Sequence, residues 1–487
     1  MSAHSRSDSA GDDDRRLRQL GYEPELARGM SGFSNFAISL SIICILAGGI
    51  TSFPVGLNSA GGASFGLGWP LVALFSLCVA ATMAQIASAF PTAGGLYHWG
   101  SILGGRACGW FTAWFNLAGL ITVLAAVNAG TFDFAVAVLG VEAPTVWVRA
   151  GGIAALTLTH GWLNHFGIRL TTRLTDFSGW LILVVATVLT LLLLLRAPHL
   201  EWSRLWTFTN LSGLPEGAPI FPKQPNTTWL FCLGLLLPAY TLTGFDASAH
   251  TAEETQRAAT AVPRGIVRSV LVSGLFGWVL VGALVLALPD LRAGAAKGAE
   301  VLPWILRSVL PSTLANGLLF GVVLAQYLCG LAALTSASRM TYAFARDGGL
   351  PGSRWLRQVS PRSRAPAAAV WTTAALGVGL TLVVPYTTIA AVCAILLYLS
   401  YVLPIAAGLY AHGRSWRRFG PWHLGRWYPP LAWLSVLGCL FLLFIGVQPP
   451  NDLALPLILG CVVTMCVAWF GLERRRFAGP PAALLNG

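Results

Sequence analysis

Charge is the first thing this sequence lacks. Only 10% of its 487 residues are Asp, Glu, Lys or Arg, against about 25% in a soluble domain, and the mean hydropathy is +0.67. A soluble chain of this length cannot hide so much apolar surface. Catalytic signatures are missing as well. There is no phosphate-binding loop, nucleophile elbow or HExxH pair, which argues against ATP-driven transport and against a membrane enzyme. The first thirty residues, with Asp12 to Asp14 followed by Arg15 and Arg16, have neither the apolar core nor the cleavage site of a signal peptide. The first apolar span therefore acts as its own uncleaved insertion signal. Nine cysteines fall almost wholly inside apolar stretches without metal-site spacing, so they read as small packing residues, and neither metal nor cofactor is expected. Lysine is nearly absent, with 2 against 29 arginines. That bias points to a GC-rich bacterial genome, in which the sequon Asn226-Thr227-Thr228 would carry nothing.

What the chain has in abundance is stretches long enough to cross a bilayer, about 20 residues each. They recur at 33–60, 68–90, 107–132, 145–164, 177–195, 228–250, 266–289, 312–338, 366–384, 387–410, 428–447 and 453–472. The reading is an all-α integral membrane protein with twelve spans. The net charge of +12 is explained by topology and not by nucleic acid. With the N-terminus inside, only Arg149, Arg196, Arg204, Lys223, Arg292, Lys297 and Arg307 of the 31 basic residues fall on the outer side. This positive-inside asymmetry puts both termini in the cytoplasm of a multi-pass inner-membrane protein.

Two spans break at their middles, the first at Gly48-Gly49-Ile50-Thr51-Ser52 and the sixth at Thr243-Gly244-Phe245-Asp246. Unwound backbone survives in lipid only where it lines a cavity or holds a ligand, and a matched pair of breaks marks a secondary transporter's substrate site. Gly48-Gly49 permits the backbone to leave helical angles, and the half-helix that follows offers free N–H groups to a carboxylate. The break in span 6 exposes carbonyls that accept an ammonium's protons. Together they describe a site for a zwitterion; close helix packing is the alternative use of Gly-Gly. Among the 19 acids, Asp246 alone sits deep in a span, where an ionisable group costs at least about 2.5 kcal/mol and is a functional candidate. It could also cap the half-helix that starts there.

Laying spans 1–5 over spans 6–10 matches one break with the other, and an odd number of spans per half inverts the second repeat. The expected organisation is a cytoplasmic tail (1–30), a first five-helix repeat (31–196), an extracytoplasmic loop (197–227) forming a partly ordered lid, a second repeat (228–410), two additional helices (411–472) and a cytoplasmic tail (473–487).

Five stretches in order, GGITSFPVGL (48–57), AQIASAFPTAGGLYHW (84–99), GIRLTTRLTD (167–176), YTLTGFDASAHTAEET (240–255) and TSASRMTYAFARDGGLP (335–351), resemble the amino acid–polyamine–organocation superfamily. Within it the likeness is greatest to the amino acid/choline branch, which includes GABA permeases. The resemblance covers about residues 20–475 and implies a leucine-transporter-like 5+5 inverted-repeat fold with substrate between spans 1, 3, 6, 8 and 10. It further implies that Gly48, Gly49, Ile50 and Thr51 bind the carboxylate and that carbonyls near Tyr240, Leu242, Thr243 and Gly244 take the amine. Phe245 would be a thin gate, and Asp246 a gating or proton-coupling acid. By the same likeness, hydroxyls at Thr335 and Ser336 facing span 1 carbonyls near Ile45 to Gly48 would form a cation site.

Protons are favoured over sodium as the coupling ion, because Ser and Thr are routine packing residues in membranes. Span 5 lacks the Lys that some proton-coupled members of the superfamily it resembles carry, so Asp246 is the leading carrier, since burial raises a carboxyl pKa. Glu253 and Glu254 would form an inner gate with Arg169, Arg173 or Arg339, or else pair at the surface. His250 and His160 are possible proton relays. The expected activity is import of a small amino acid or related zwitterionic amine by a monomer or homodimer. A polyamine, choline or amino acid exchanger is the alternative within transport, and a non-transporting membrane receptor the alternative outside it.

Overall fold

The computed structural model describes residues 13–141, 144–384 and 386–485. Asp12, read above as part of the charged N-terminal tail, lies outside the described residues. Among the described residues the chain is helical, and its only β contacts are two isolated bridges, Met30 with Thr255 and His412 with Trp416.

Span 1 is built from α1 (Gly32–Ile43), α2 (Gly48–Thr51) and α3 (Phe53–Ala60), followed by α4 (Trp69–Ala89), α5 (Leu96–Leu139), α6 (Val146–His165) and α7 (Ile168–Arg196). The second half opens with α8 (Thr227–Gly234), α9 (Leu236–Thr241) and α10 (Ala247–His250), and continues through α11 (Ala258–Ala287), α12 (Ser312–Arg346), α13 (Ala367–Val383) and α14 (Tyr386–Ala411). Two further helices, α15 (Tyr428–Gly446) and α16 (Ala454–Ala468), follow. A left-handed Gly105 (φ 85°) bends α5 near its start.

Nine of the described helices, not the expected twelve, are both long and apolar enough to cross a bilayer. The remaining three expected stretches are helical but fall short for identifiable reasons. Span 4 (α6) turns Thr157, His160 and Asn164 into the protein, which lowers its hydropathy. Span 6 is cut by its break, leaving the short Thr227–Thr241 segment. Span 9 (α13) has only 17 residues.

Apolar side chains such as Leu74, Trp180, Leu191, Leu437 and Val463 are exposed on the outer faces, where lipid replaces water as their solvent. Inside, small residues bring backbones together, because lipid supplies no hydrophobic drive between helices. The clearest case joins α4 to α11. Trp69 is fully buried and donates its indole N–H to the Gly274 carbonyl at 2.9 Å. A Cβ at Gly277 would lie 2.3 Å from the same ring. The far edge of Trp69 backs Gly49 at 3.5 Å, so this contact also supports the break in span 1.

The loop between the halves is ordered. Its backbone at Arg204 and Leu205 presses on Gly62 and Gly66, where added Cβ atoms would lie 2.0 and 1.9 Å from the two carbonyl oxygens. Thr209 N–H donates to Ala60 O at 3.1 Å, closing the loop over the outer end of α3. Asn226 caps α8 by accepting the Trp229 N–H. At the opposite side, Gly21 packs on Pro481, and Arg106 donates to the Phe477 carbonyl, so both described ends of the chain meet on one face. Gly277→Ala should lower unfolding stability by about 1–3 kcal/mol through overpacking, read as earlier thermal unfolding in detergent.

Candidate functional site

The two broken spans pack against each other at their breaks, α2 against α9. In span 1 the helix stops earlier than expected: Cys44 leaves helical geometry (φ 2°, ψ 91°), and Gly48–Thr51 forms the first turn of the outer half-helix. The physical reason lies in the carbonyls. Cys44 O accepts from Ala47 and Gly48, while Ala47 O accepts from Ile50, Thr51 and the Thr51 hydroxyl. Three of the four N–H groups expected to meet a carboxylate are thus engaged within the chain, and a carboxylate at Gly48, Ile50 or Thr51 must share or displace them.

In span 6, α9 ends at Thr241 and α10 begins at Ala247, with Gly244 left-handed at φ 87°. A Cβ there would approach Ile42 Cγ2 at 2.3 Å, so only glycine lets the two breaks come this close. The half-helix before the first break and the one after the second are pinned to each other. Asn35 donates to the Ser248 carbonyl at 2.9 Å, and the Ser39 hydroxyl reaches Phe245 O at 2.9 Å and the Ser248 hydroxyl at 2.7 Å.

Between the breaks lies a narrow cavity bounded by Ile43, Gly48, Val127, Tyr240, Thr243 and Cys329. Its volume of about 20 Å³ admits one or two waters at roughly 10–15 Å³ each. The expected residues divide around it. Gly48, Tyr240 and Thr243 line it together. Gly49 faces Trp69 and Val281, while Ile50 and Leu242 are buried in the core. Gly244 N–H donates to the Tyr401 hydroxyl, and the Phe245 ring packs on Tyr401 with centroids 5.0 Å apart.

Asp246 is fully buried behind this cavity. It occupies the N-cap position of α10, yet its side chain makes no cap bond. Instead Tyr401 donates to Oδ1 at 2.8 Å, Asn116 donates to Oδ2 at 2.8 Å, and His250 Nε2 stands 3.2 Å from Oδ2. Asn116 and Tyr401 escaped sequence reading because a search for carboxylates passes over neutral amides and phenols. A polar amide in an apolar span was the available signal.

The expected cation pair is placed differently. Thr335 donates to Asn164 Oδ1 at 2.8 Å, toward span 4 and away from span 1. The face of α12 that meets span 1 carries Gln326, which donates to Leu46 O at 3.1 Å, and Cys329, which reaches Ile42 O. An amide N–H therefore occupies a break carbonyl that a cation would need. Ser336 is fully buried ten residues beyond Gln326 along α12, nearly three helical turns away at about 3.6 residues per turn.

Two buried ion pairs lie toward the face on which the chain ends meet. Glu254 holds Arg339 through two bonds of 2.9 and 3.1 Å, both residues fully buried, and Asn164 Oδ1 also accepts from Arg339. Glu253 pairs with Arg346 at 2.8 Å, not with Arg169 or Arg173. Burial pushes the Glu253 carboxyl up, but Arg346 and the Ala93 N–H outweigh it and hold it below its usual range. The same balance, struck by His98, Arg346 and Tyr22, keeps Asp347 low. Tyr22 of the N-terminal segment lies across this layer, with the Arg346 guanidinium 3.9 Å from its ring and its hydroxyl donating to Asp347 at 2.8 Å. Stabilisation from a depressed carboxyl is complete above its ordinary value and is lost only as pH falls through the lower folded one. Glu253 and Asp347 therefore stay ionised throughout pH 5–8.

Glu254→Gln should leave Arg339 buried without its counter-charge and cost about 3–5 kcal/mol, whereas replacing both residues by Met should cost much less. Thermal unfolding of the purified variants checks this.

Sequence comparison agrees with the architecture. A profile of the amino acid permease family matches residues 30–467. The chain is 32% identical to Amino-acid permease BAT1 of Arabidopsis thaliana, covering 97% of this chain and 96% of that protein. It is likewise 32% identical to a BAT1 homolog of Oryza sativa, over 87% and 85% of the two chains. An uncharacterized amino-acid permease of Schizosaccharomyces pombe is 27% identical over 98% of this chain and 87% of its own. These relatives are plant and fungal and lend no support to the bacterial origin expected from arginine usage. With helices as its regular elements among the described residues and nine of them apolar enough to cross a bilayer, this chain belongs to the amino acid permease family of the amino acid–polyamine–organocation superfamily, and it is a membrane transporter and not an enzyme.

Proposed function

We propose that this permease imports a small neutral or GABA-like amino acid, or a related zwitterionic amine, by proton-coupled alternating access. The observation that carries the reading is the cavity between two facing helix breaks, whose bounding residues bear no charge. Charges on a bound zwitterion would then be met by helix ends, the N-terminal turn at Gly48–Thr51 for the carboxylate and the carbonyls near Tyr240 and Thr243 for the amine. A polyamine carries two or more positive charges and would need carboxylates that this lining lacks, which weighs against the polyamine alternative.

The 20 Å³ cavity is far below the roughly 300 Å³ of a small-molecule site, so the half-helices must part for substrate to enter. In the proposed 5+5 inverted repeat, the second break moves with the first, because α1 and α10 are hydrogen-bonded to each other. Opening to the other side requires the Glu253–Arg346 and Glu254–Arg339 pairs to separate. The face on which the chain ends meet carries these pairs and the arginine excess, which supports placing it in the cytoplasm. Gln326 on the Leu46 carbonyl supports sodium-independent transport, and Asp246 is the proposed proton carrier.

Uptake of labelled alanine, GABA, choline and putrescine by proteoliposomes, under a proton gradient, a sodium gradient or neither, tests the reading. Accumulation of alanine or GABA driven by inward protons alone is expected. Uptake that requires preloaded substrate would mean exchange, and no uptake would return the protein to a receptor role. Gly48→Val should abolish binding, since its Cβ would already lie 3.0 Å from Thr241 Cα; substrate protection in a thermal-shift assay reads this loss.

A further inference from the structure

We infer that Asp246 and His250 together form a one-proton storage site whose occupancy is linked to the inner gate through the turn at Ala93. This inference rests on the proton-coupled reading above and deepens it.

The hydrogen-bond inventory leads there. His250 is fully buried and uses both ring nitrogens, Nε2 on Asp246 Oδ2 at 3.2 Å and Nδ1 on the Ala93 carbonyl at 3.3 Å. A carbonyl only accepts, so Nδ1 carries a hydrogen. Tyr401 accepts the Gly244 N–H and therefore spends its own hydrogen on Asp246 Oδ1, and Asn116 donates to Oδ2. The contact between Nε2 and Oδ2 must then contain one more hydrogen. It belongs either to the imidazole, giving an imidazolium–carboxylate pair, or to the carboxyl, giving two neutral groups. Both arrangements satisfy every bond, and both have no net charge.

Removing that proton leaves a carboxylate facing an imidazole lone pair, with a net negative charge in a dry interior where an uncompensated ion is expensive. Loading adds one proton from the outer solution, forming one N–H or O–H bond, and unloading returns it to water on the inner side. No other reactant is needed. The groups that face the pair are Asn116 from α5, Tyr401 and, through Asn116, Ser400 from α14, and the Ala93 turn. Cys393, a further buried titratable side chain, lies on the same α14 as Tyr401. Ser39 of α1 contacts the neighbouring backbone.

The link to the gate is residue Ala93 itself. Its carbonyl meets His250, while its N–H donates to Glu253 Oε1 at 3.1 Å, the same oxygen that binds Arg346 at 2.8 Å. Breaking the Glu253–Arg346 pair frees this turn, and with it the partner that keeps His250 Nδ1 protonated.

The test uses full-length protein in proteoliposomes containing a pH-sensitive dye, with labelled alanine and GABA as probes. Under a gradient of about one pH unit, one-to-one coupling sustains roughly tenfold accumulation in the wild type. His250→Gln should abolish both the accumulation and the dye signal while leaving downhill counterflow of the probe intact, and Asp246→Asn should behave alike. The double variant should be no worse than either single one, because the two residues act as a unit. Should His250→Gln fail to fold, as judged by size-exclusion chromatography, pH-independent counterflow in Asp246→Asn would still be required. His250→Gln that accumulates probe with a wild-type dye signal overturns the storage pair and leaves proton coupling standing. Wild-type protein that moves probe without protons overturns both.

Discussion

A backbone amide inside a bilayer has no water to turn to, and most of this structure follows from that. Every N–H and C=O freed by a break in a helix must find a partner in the protein. At the first break the partners are the chain's own turn and the Gln326 amide on Leu46. At the second they include the Tyr401 hydroxyl on Gly244 and the Ser39 hydroxyl on Phe245. These few bonds convert two weak points into the most tightly specified region of the molecule. A region whose hydrogen bonds can be exchanged for those of a ligand is suited to substrate binding, because the cost of unwinding has already been met.

Buried charge obeys the same constraint more strictly. Four carboxylates, Asp246, Glu253, Glu254 and Asp347, lie in a line of contacts that runs from the second break to the face where the chain ends meet. Each is matched by a basic side chain and further donors, as a dry environment demands. Asp246 and His250 share one element, α10, whereas the other three pairings join different elements and do not survive a relative movement of those elements intact. Glu254 sits just beyond α10 and Arg339 on α12, with Asn164 of α6 completing the set. Such pairs contribute little net stability and are costly to break singly, which makes them better at defining two discrete states than at holding one. The N-terminal segment adds Tyr22 and Arg28 to this side, the latter donating to Asp14 and to the Thr255 carbonyl.

Much of the architecture was legible because a membrane reduces folding to a simple code. Apolar length announced the helices, and Gly48-Gly49 and Thr243-Gly244 announced the breaks, since only glycine tolerates the positive φ of residue 244 beside Ile42. Asp246 stood out as a lone acid in an apolar run. The boundary of the first break was less legible: the stop falls at Cys44, ahead of the glycines, because the turn is decided by which carbonyls are capped and not by propensity. Spans 4, 6 and 9 were read as equal to the others, although packing against protein allows them to be shorter or more polar.

Composition and pattern alone established a multi-pass helical membrane protein and two helix interruptions, the second of them in its place, and five motifs carried the resemblance to the family to which the chain belongs. They did so because transfer into lipid depends on each residue's own polarity and on spacing along one helix. Pairings were decided only by the tertiary structure: His250, Asn116 and Tyr401 on Asp246, Arg346 on Glu253, and Asn164 in place of a span 1 carbonyl on Thr335. These contacts join residues up to hundreds of positions apart, and their partners are set by how helices rotate and cross, which depends on small residues such as Gly274 and Gly277 receiving Trp69. A single chain read in order carries no record of those rotations until the helices have packed.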